Sequence, residues 1–181
     1  MGAYRDVQSD DTPGGSARLQ SRVFASDVEA LPSLGLSEFL RSVLTNAHVL
    51  TEGGAHSMWY EEPRWRNRLV VEHAAMESRF PDFVLIRSPD RLLVWRGILR
   101  PAGRLFEVSA TMPRRYPYQE PELRLESPAC RSDAPHRYLS GAMCIHPAGG
   151  WDPTRGTIAS TIPLAAAWLV RYMSWLDTGV F

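Results

Sequence analysis

Cys144 is the residue in this 181-residue chain best placed to do chemistry, with His136 eight residues before it and His146 two residues after it. It lies in the stretch Ala134-Pro135-His136-Arg137-Tyr138-Leu139-Ser140-Gly141-Ala142-Met143-Cys144-Ile145-His146, which closes at Trp151-Asp152-Pro153. A thiolate in a polar, accessible setting can attack a carbonyl and hold the acyl group. Three chemistries fit those residue types. The first is an acyl carrier on Cys144. The second is a cysteine hydrolase in which His146 or His136 activates the thiol, since residues two apart in an extended segment point the same way. The third is a non-catalytic zinc module built on Cys130, His136, Cys144 and His146, four donors within 17 residues. Their spacing, with five, seven and one intervening residues, matches no common finger.

Composition narrows the field. The chain is long enough for one domain with a substantial core and short for two. Its net charge is zero, which favours neither nucleic acid nor an anionic membrane as a partner. The first residues, Met1-Gly2-Ala3-Tyr4-Arg5-Asp6, lack the apolar run of a signal peptide. The longest strongly apolar run, 162–170, is too short to cross a bilayer. Two cysteines do not make a secreted disulfide framework, so a reducing cytoplasm is expected. All 20 basic residues are arginine. A GC-rich genome explains that bias. So would an enzyme that moves acyl groups onto amines and benefits from offering none of its own, because a guanidinium does not deprotonate and attack.

The elements that must position Cys144 follow from the hydrophobic pattern. Residues 1–30 carry few large apolar groups and read as a flexible arm. Over 31–60, an additional helix and linker are expected: Leu36, Phe39, Leu40, Val43, Leu44 and Ala47 share one helical face, which packs on the domain or docks a partner. Residues 61–181 are expected to form the catalytic domain. Pro63 opens a helix on which Trp65, Leu69, Glu72 or His73, Met76 and Phe80 recur every three or four residues, and Pro81 stops it. Four strand signals follow: Phe83 to Arg87, Leu92 to Leu99, Leu105 to Thr111, and the alternation around Leu123 and Leu125. Short connections make them an antiparallel meander. Residues 127–157 show no periodicity and read as a functional loop. A last helix is expected from Thr161 as cap, with Pro163 in its first turn, to about Trp175, packing through Leu164, Ala167, Trp168, Arg171 and Trp175, with Gly179 beyond its end.

On this pattern, residues from about 65 to 176 resemble the ubiquitin-conjugating enzymes. Pro113-Arg114-Arg115-Tyr116-Pro117-Tyr118-Gln119-Glu120-Pro121 is similar to the family's Pro-x-x-Tyr-Pro-x-x-x-Pro turn after the third strand. Gly141-Ala142-Met143-Cys144-Ile145 resembles the glycine-led approach to the active cysteine, and Trp151-Asp152-Pro153 resembles the Trp-x-Pro that follows it. Most eukaryotic members have His-Pro-Asn where this chain has Ala134-Pro135-His136, so His136 replaces the Asn. The chain also has one helix after the active-site loop where the larger family usually has two more. Both departures resemble the short bacterial members encoded in antiviral defence systems such as cyclic-oligonucleotide signalling operons.

The resemblance implies an α+β fold and catalytic residues Cys144 and His136. It implies a thioester between Cys144 and the C-terminus of a ubiquitin-like or nucleotidyltransferase-type protein, and transfer to an amine on a target protein. A separate activating enzyme would be a partner, and no cofactor or metal is implied. Transfer passes through a tetrahedral oxyanion, and a donor aimed at that oxygen contributes roughly 3–4 kcal/mol. His136 could be that donor, or a general base for the amine. Tyr116, Pro117 and Pro121 are expected to be structural.

Overall fold

A computed structural model describes residues 58–181. The arm and additional helix expected before them lie outside the described residues. Met58, Trp59 and Tyr60, the first described residues, are buried in the core. A 3-10 turn at Pro63–Trp65 leads into helix α1, Arg66–Arg79. Proline's fixed φ suits a helix start, and the position before Pro81 disfavours helical backbone, which ends α1 at Phe80. The expected stripe faces inward: Leu69, Glu72, His73 and Met76 are all buried.

Four strands follow, β1 (Val84–Arg87), β2 (Leu93–Leu99), β3 (Phe106–Met112) and β4 (Glu122–Ser127). They form one antiparallel sheet in the order β1-β2-β3-β4. In register, Leu85 pairs with Trp95, Trp95 with Ala110, and Ala110 with Leu123, so one buried row crosses the sheet. Phe106, Val108, Ala110 and Met112 alternate inward along β3, as the period of two requires. At Gly97 on β2, an added Cβ would sit 2.4 Å from the Phe83 ring, so that crossing needs glycine.

The last helix, α2, runs Ile158–Thr178 and differs from expectation in two ways. Its N-cap is Thr157, whose hydroxyl accepts from the Ser160 amide; Thr161 is buried within the helix and donates to the Ile158 carbonyl at 2.7 Å. Pro163 thus lies inside the helix, and burial of Ile158, Ala159 and Ile162 offsets the one backbone bond it removes. The buried face is Ile158, Ile162, Ala165, Trp168, Leu169, Tyr172 and Met173, whereas Leu164, Ala167 and Arg171 are exposed. The cause is composition: α2 carries apolar residues on most sides, including exposed Val170 and Leu176, so periodicity alone does not single out its core stripe. Gly179 closes it in the left-handed conformation at φ 76°.

Candidate functional site

The stretch expected to be a loop contains a short hairpin that presents Cys144. The Cys144 amide donates to the His136 carbonyl at 2.8 Å, and the Tyr138 amide donates to the Ala142 carbonyl at 2.8 Å. Arg137 and Met143 form an antiparallel bridge between these pairs. Gly141, at φ 90°, makes the turn. The Met143 amide also donates to the Leu123 carbonyl at 2.8 Å, which ties the cysteine's strand to β4. Regular pairing hides from periodicity here because each arm is only a few residues long.

The pairing places Tyr138 diagonally across from Cys144 on the same face, within reach of an aromatic side chain. Its hydroxyl is within the thiol's reach, and its interaction with Cys144, then partial burial and the nearby charges, push the phenol's pKa up to about 12. The thiol itself is half-buried and lies 3.9 Å from the His146 carbonyl oxygen. Tyr138 is the site residue that sequence reasoning missed. The signal was available: Ser140-Gly141 is a turn dipeptide, and folding the chain there sets residue 138 beside 144.

His136 and Cys144 are joined through main chain. The His136 carbonyl accepts from both the Cys144 amide and the Trp168 indole, the latter at 2.8 Å. Its φ of 52° lies in the left-handed region, which takes its side chain out of the strand alternation. The exposed ring stacks on Phe181 at 4.9 Å and makes no hydrogen bond to the thiol. The ring of His146 packs against Trp151 at 5.9 Å, and its Nδ1 lies 3.3 Å from Glu120 Oε2 without hydrogen-bond geometry. Neither histidine therefore forms a hydrogen-bonded dyad with Cys144. Burial pushes the Cys130 thiol up, which disfavours its thiolate. Among the described residues, no three His, Cys, Asp or Glu side chains converge to hold a metal ion.

A groove of about 260 Å³ adjoins the hairpin. Glu120, Pro121 and Glu122 form one wall, and Tyr138, Met143 and Ile145 contribute to the other. The two residues that flank Cys144 thus line it, as does Tyr138.

Behind the site, a buried polar network fixes the surrounding turns. Arg68 Nε donates to Glu72 Oε1 at 2.7 Å, and the Tyr116 hydroxyl donates to the same oxygen. The Ile158 amide donates to Glu72 Oε2 at 2.9 Å. The Arg68 guanidinium reaches on to the Pro153 carbonyl at 3.1 Å and to the Gly156 carbonyl. The Trp151 indole donates to the Pro117 carbonyl at 2.7 Å, and an added Cβ on Gly156 would meet the Trp151 ring at 2.5 Å. Tyr116, Pro117 and Trp151 are accordingly parts of one scaffold. No helix among the described residues is long and apolar enough to cross a membrane.

A family model described as "Type II CBASS E2 protein" matches residues 72–181. No curated protein matches. Among solved structures, the chain is similar to "A complex of the Vps23 UEV with ubiquitin", at 13% identity and a TM-score of 0.48, over 74% of this chain and 91% of that one. Because the family match runs through the sheet, the cysteine hairpin and the last helix, more than half of the chain, this protein belongs to the type II CBASS E2 family.

Proposed function

We propose that, within the ubiquitin-conjugation-like role in antiphage defence that its family implies, this protein is a thioester carrier with Cys144 as its nucleophile. The thiolate attacks the activated C-terminal carbonyl of a partner protein; the S–C bond forms as the activating group leaves with its electron pair. An amine on the target then attacks that carbonyl. The N–C bond forms, the C–S bond breaks, and sulfur leaves as thiolate while the amine loses one proton and keeps the other as the amide N–H. A ubiquitin-like or nucleotidyltransferase-type protein is the cargo, and a separate enzyme activates it.

The observation that carries this reading is the thiol's setting: half-buried, beside the Tyr138 phenol, and held on a hairpin paired to β4 whose Met143 and Ile145 line an open groove. A carrier must protect a thioester from water yet admit a second substrate, and a rigid backbone with no histidine bonded to the sulfur suits holding better than turnover. The same absence speaks against the hydrolase reading. His136, opposite Cys144 in the hairpin, is assigned to discharge. The test is to mix the protein with a peptide bearing a C-terminal mercaptoethanesulfonate thioester and follow intact mass. The expected product is a long-lived, thiol-reversible adduct on Cys144 that Cys144→Ala lacks. Continuous peptide hydrolysis without an adduct would overturn the carrier in favour of the hydrolase.

A further inference from the structure

Beyond α2 the chain turns back and places an aromatic ring on His136. Gly179, at φ 76°, makes the turn, and the Val180 amide donates to the Thr178 hydroxyl at 3.1 Å. Val180 is exposed, whereas Phe181 packs against the core with its ring edge-on to buried Trp168 at 5.7 Å. The same Trp168 donates its indole N–H to the His136 carbonyl at 2.8 Å. The His136 ring lies on Phe181 at 4.9 Å, with 28° between the planes. Main chain and ring of one exposed histidine are thus held by two aromatic residues of a single segment. A left-handed backbone at a non-glycine residue, as at His136, persists only where its surroundings over-determine it, and such residues cluster at functional sites. A stacked face leaves the nitrogens at the ring edge open, and among the described residues neither makes a hydrogen bond.

We infer that Phe181 is a positioning residue for discharge, whose ring holds the His136 imidazole in the orientation from which it acts on the tetrahedral intermediate. This rests on the carrier reading and on the assignment of His136 to discharge. An exposed histidine without such a stack samples roughly three χ1 wells and two χ2 orientations. The imidazole can act as donor to the oxyanion or as acceptor of the amine's proton. In either role a ring nitrogen must be in place as the N–C bond forms, so a released ring lowers the rate by its share of unproductive orientations. Loading does not call on the ring, which makes no hydrogen bond to the thiol. Phe181 therefore touches no reacting atom and works through His136 alone.

The test uses the full chain loaded on Cys144 from the peptide thioester and freed of excess reagent, with discharge to Nα-acetyl-lysine amide timed by intact mass. Phe181→Ala should form the adduct and discharge it about three- to sixfold more slowly, the scale set by the ring orientations released. Phe181→Leu keeps apolar bulk on Trp168 without a flat face, and should slow discharge likewise even if the alanine variant fails to fold. Phe181→Tyr keeps the face and should restore the parent rate. In a His136→Ala background, Phe181→Leu should slow discharge no further, because the ring it acts through is gone. Equal slowing with and without His136 would make Phe181 structural only and refute the inference. Unchanged or faster discharge in the single leucine variant refutes it too. If His136→Ala discharges at the parent rate, the role of His136 falls and that of Phe181 with it, while the carrier stands. Failure of the parent to form any adduct refutes the carrier reading and this inference together.

Discussion

Removing the Glu72 carboxylate should bring the domain close to unfolding. Glu72 is fully buried, and its two oxygens satisfy three donors: Arg68 Nε, the Tyr116 hydroxyl and the Ile158 amide. Burial raises its carboxyl pKa above the usual range, opposed by those same donors. In Glu72→Ala the Arg68 side chain, only 14% exposed, keeps neutral partners alone, and two further buried donors lose their acceptor. Breaking a buried ion pair from one side costs about 3–5 kcal/mol. Each orphaned donor costs about 1–3 kcal/mol, overlapping rather than adding in full. The expected loss is therefore about 4–6 kcal/mol, against a total of about 5–15 kcal/mol for a domain of ordinary stability. Glu72→Gln, which keeps one acceptor, should lose about 2–3 kcal/mol. Urea unfolding followed by tryptophan fluorescence measures all of these. The informative control is Arg68→Met with Glu72→Met, which removes both charges and should cost less than Glu72→Ala. An alanine variant within about 1 kcal/mol of the parent, or a double variant no better than the single, would refute the account of this network.

Two further outcomes are expected. The Tyr138 phenol, resolved by ring-carbon NMR, should titrate near 12 and drop toward its ordinary value of 10.0 in Cys144→Ala, since the interaction with the thiol is the largest cause of the rise. With the folded pKa raised, stability from this interaction is held below the ordinary phenol value and lost as pH climbs through about 12; an unchanged titration in Cys144→Ala would contradict the pairing. His136→Ala should still accept peptide from the thioester but discharge it about a hundredfold more slowly to an amine, the low end for a lost acid–base contact in the transition state; an inability to load would exclude a role confined to discharge.

Much of the scaffold is legible in the sequence because its information is local. The stripe Leu69, Glu72, His73 and Met76 marks a helix face, and the alternation along Phe106 to Met112 marks a half-buried strand. The Pro113-to-Pro121 turn and Trp151 are readable as motifs, although their physical joint is the Trp151 bond to the Pro117 carbonyl, 34 residues back. Four features escaped. The hairpin around Gly141 is too short for a periodic signal, and Tyr138 went unnoticed with it. The left-handed backbone at His136 is rare for histidine, and spacing does not reveal that it lays the ring on Phe181. The α2 stripe is blurred by apolar residues all round that helix. Nothing local marks Arg68, because the carbonyls it holds lie 85 and 88 residues away.

Those long spans also order the assembly of the site. Synthesis delivers α1 first and the Pro153-to-Ile158 segment some 85 residues later. Until that segment arrives, Arg68 and Glu72 stay in water, and closing so large a loop must be compensated by α2 packing on the core. The cysteine hairpin is therefore translated before the segment that locks its surroundings. The surroundings of Cys144 are completed only when α2 docks, and a growing chain does not present them locked before that helix folds.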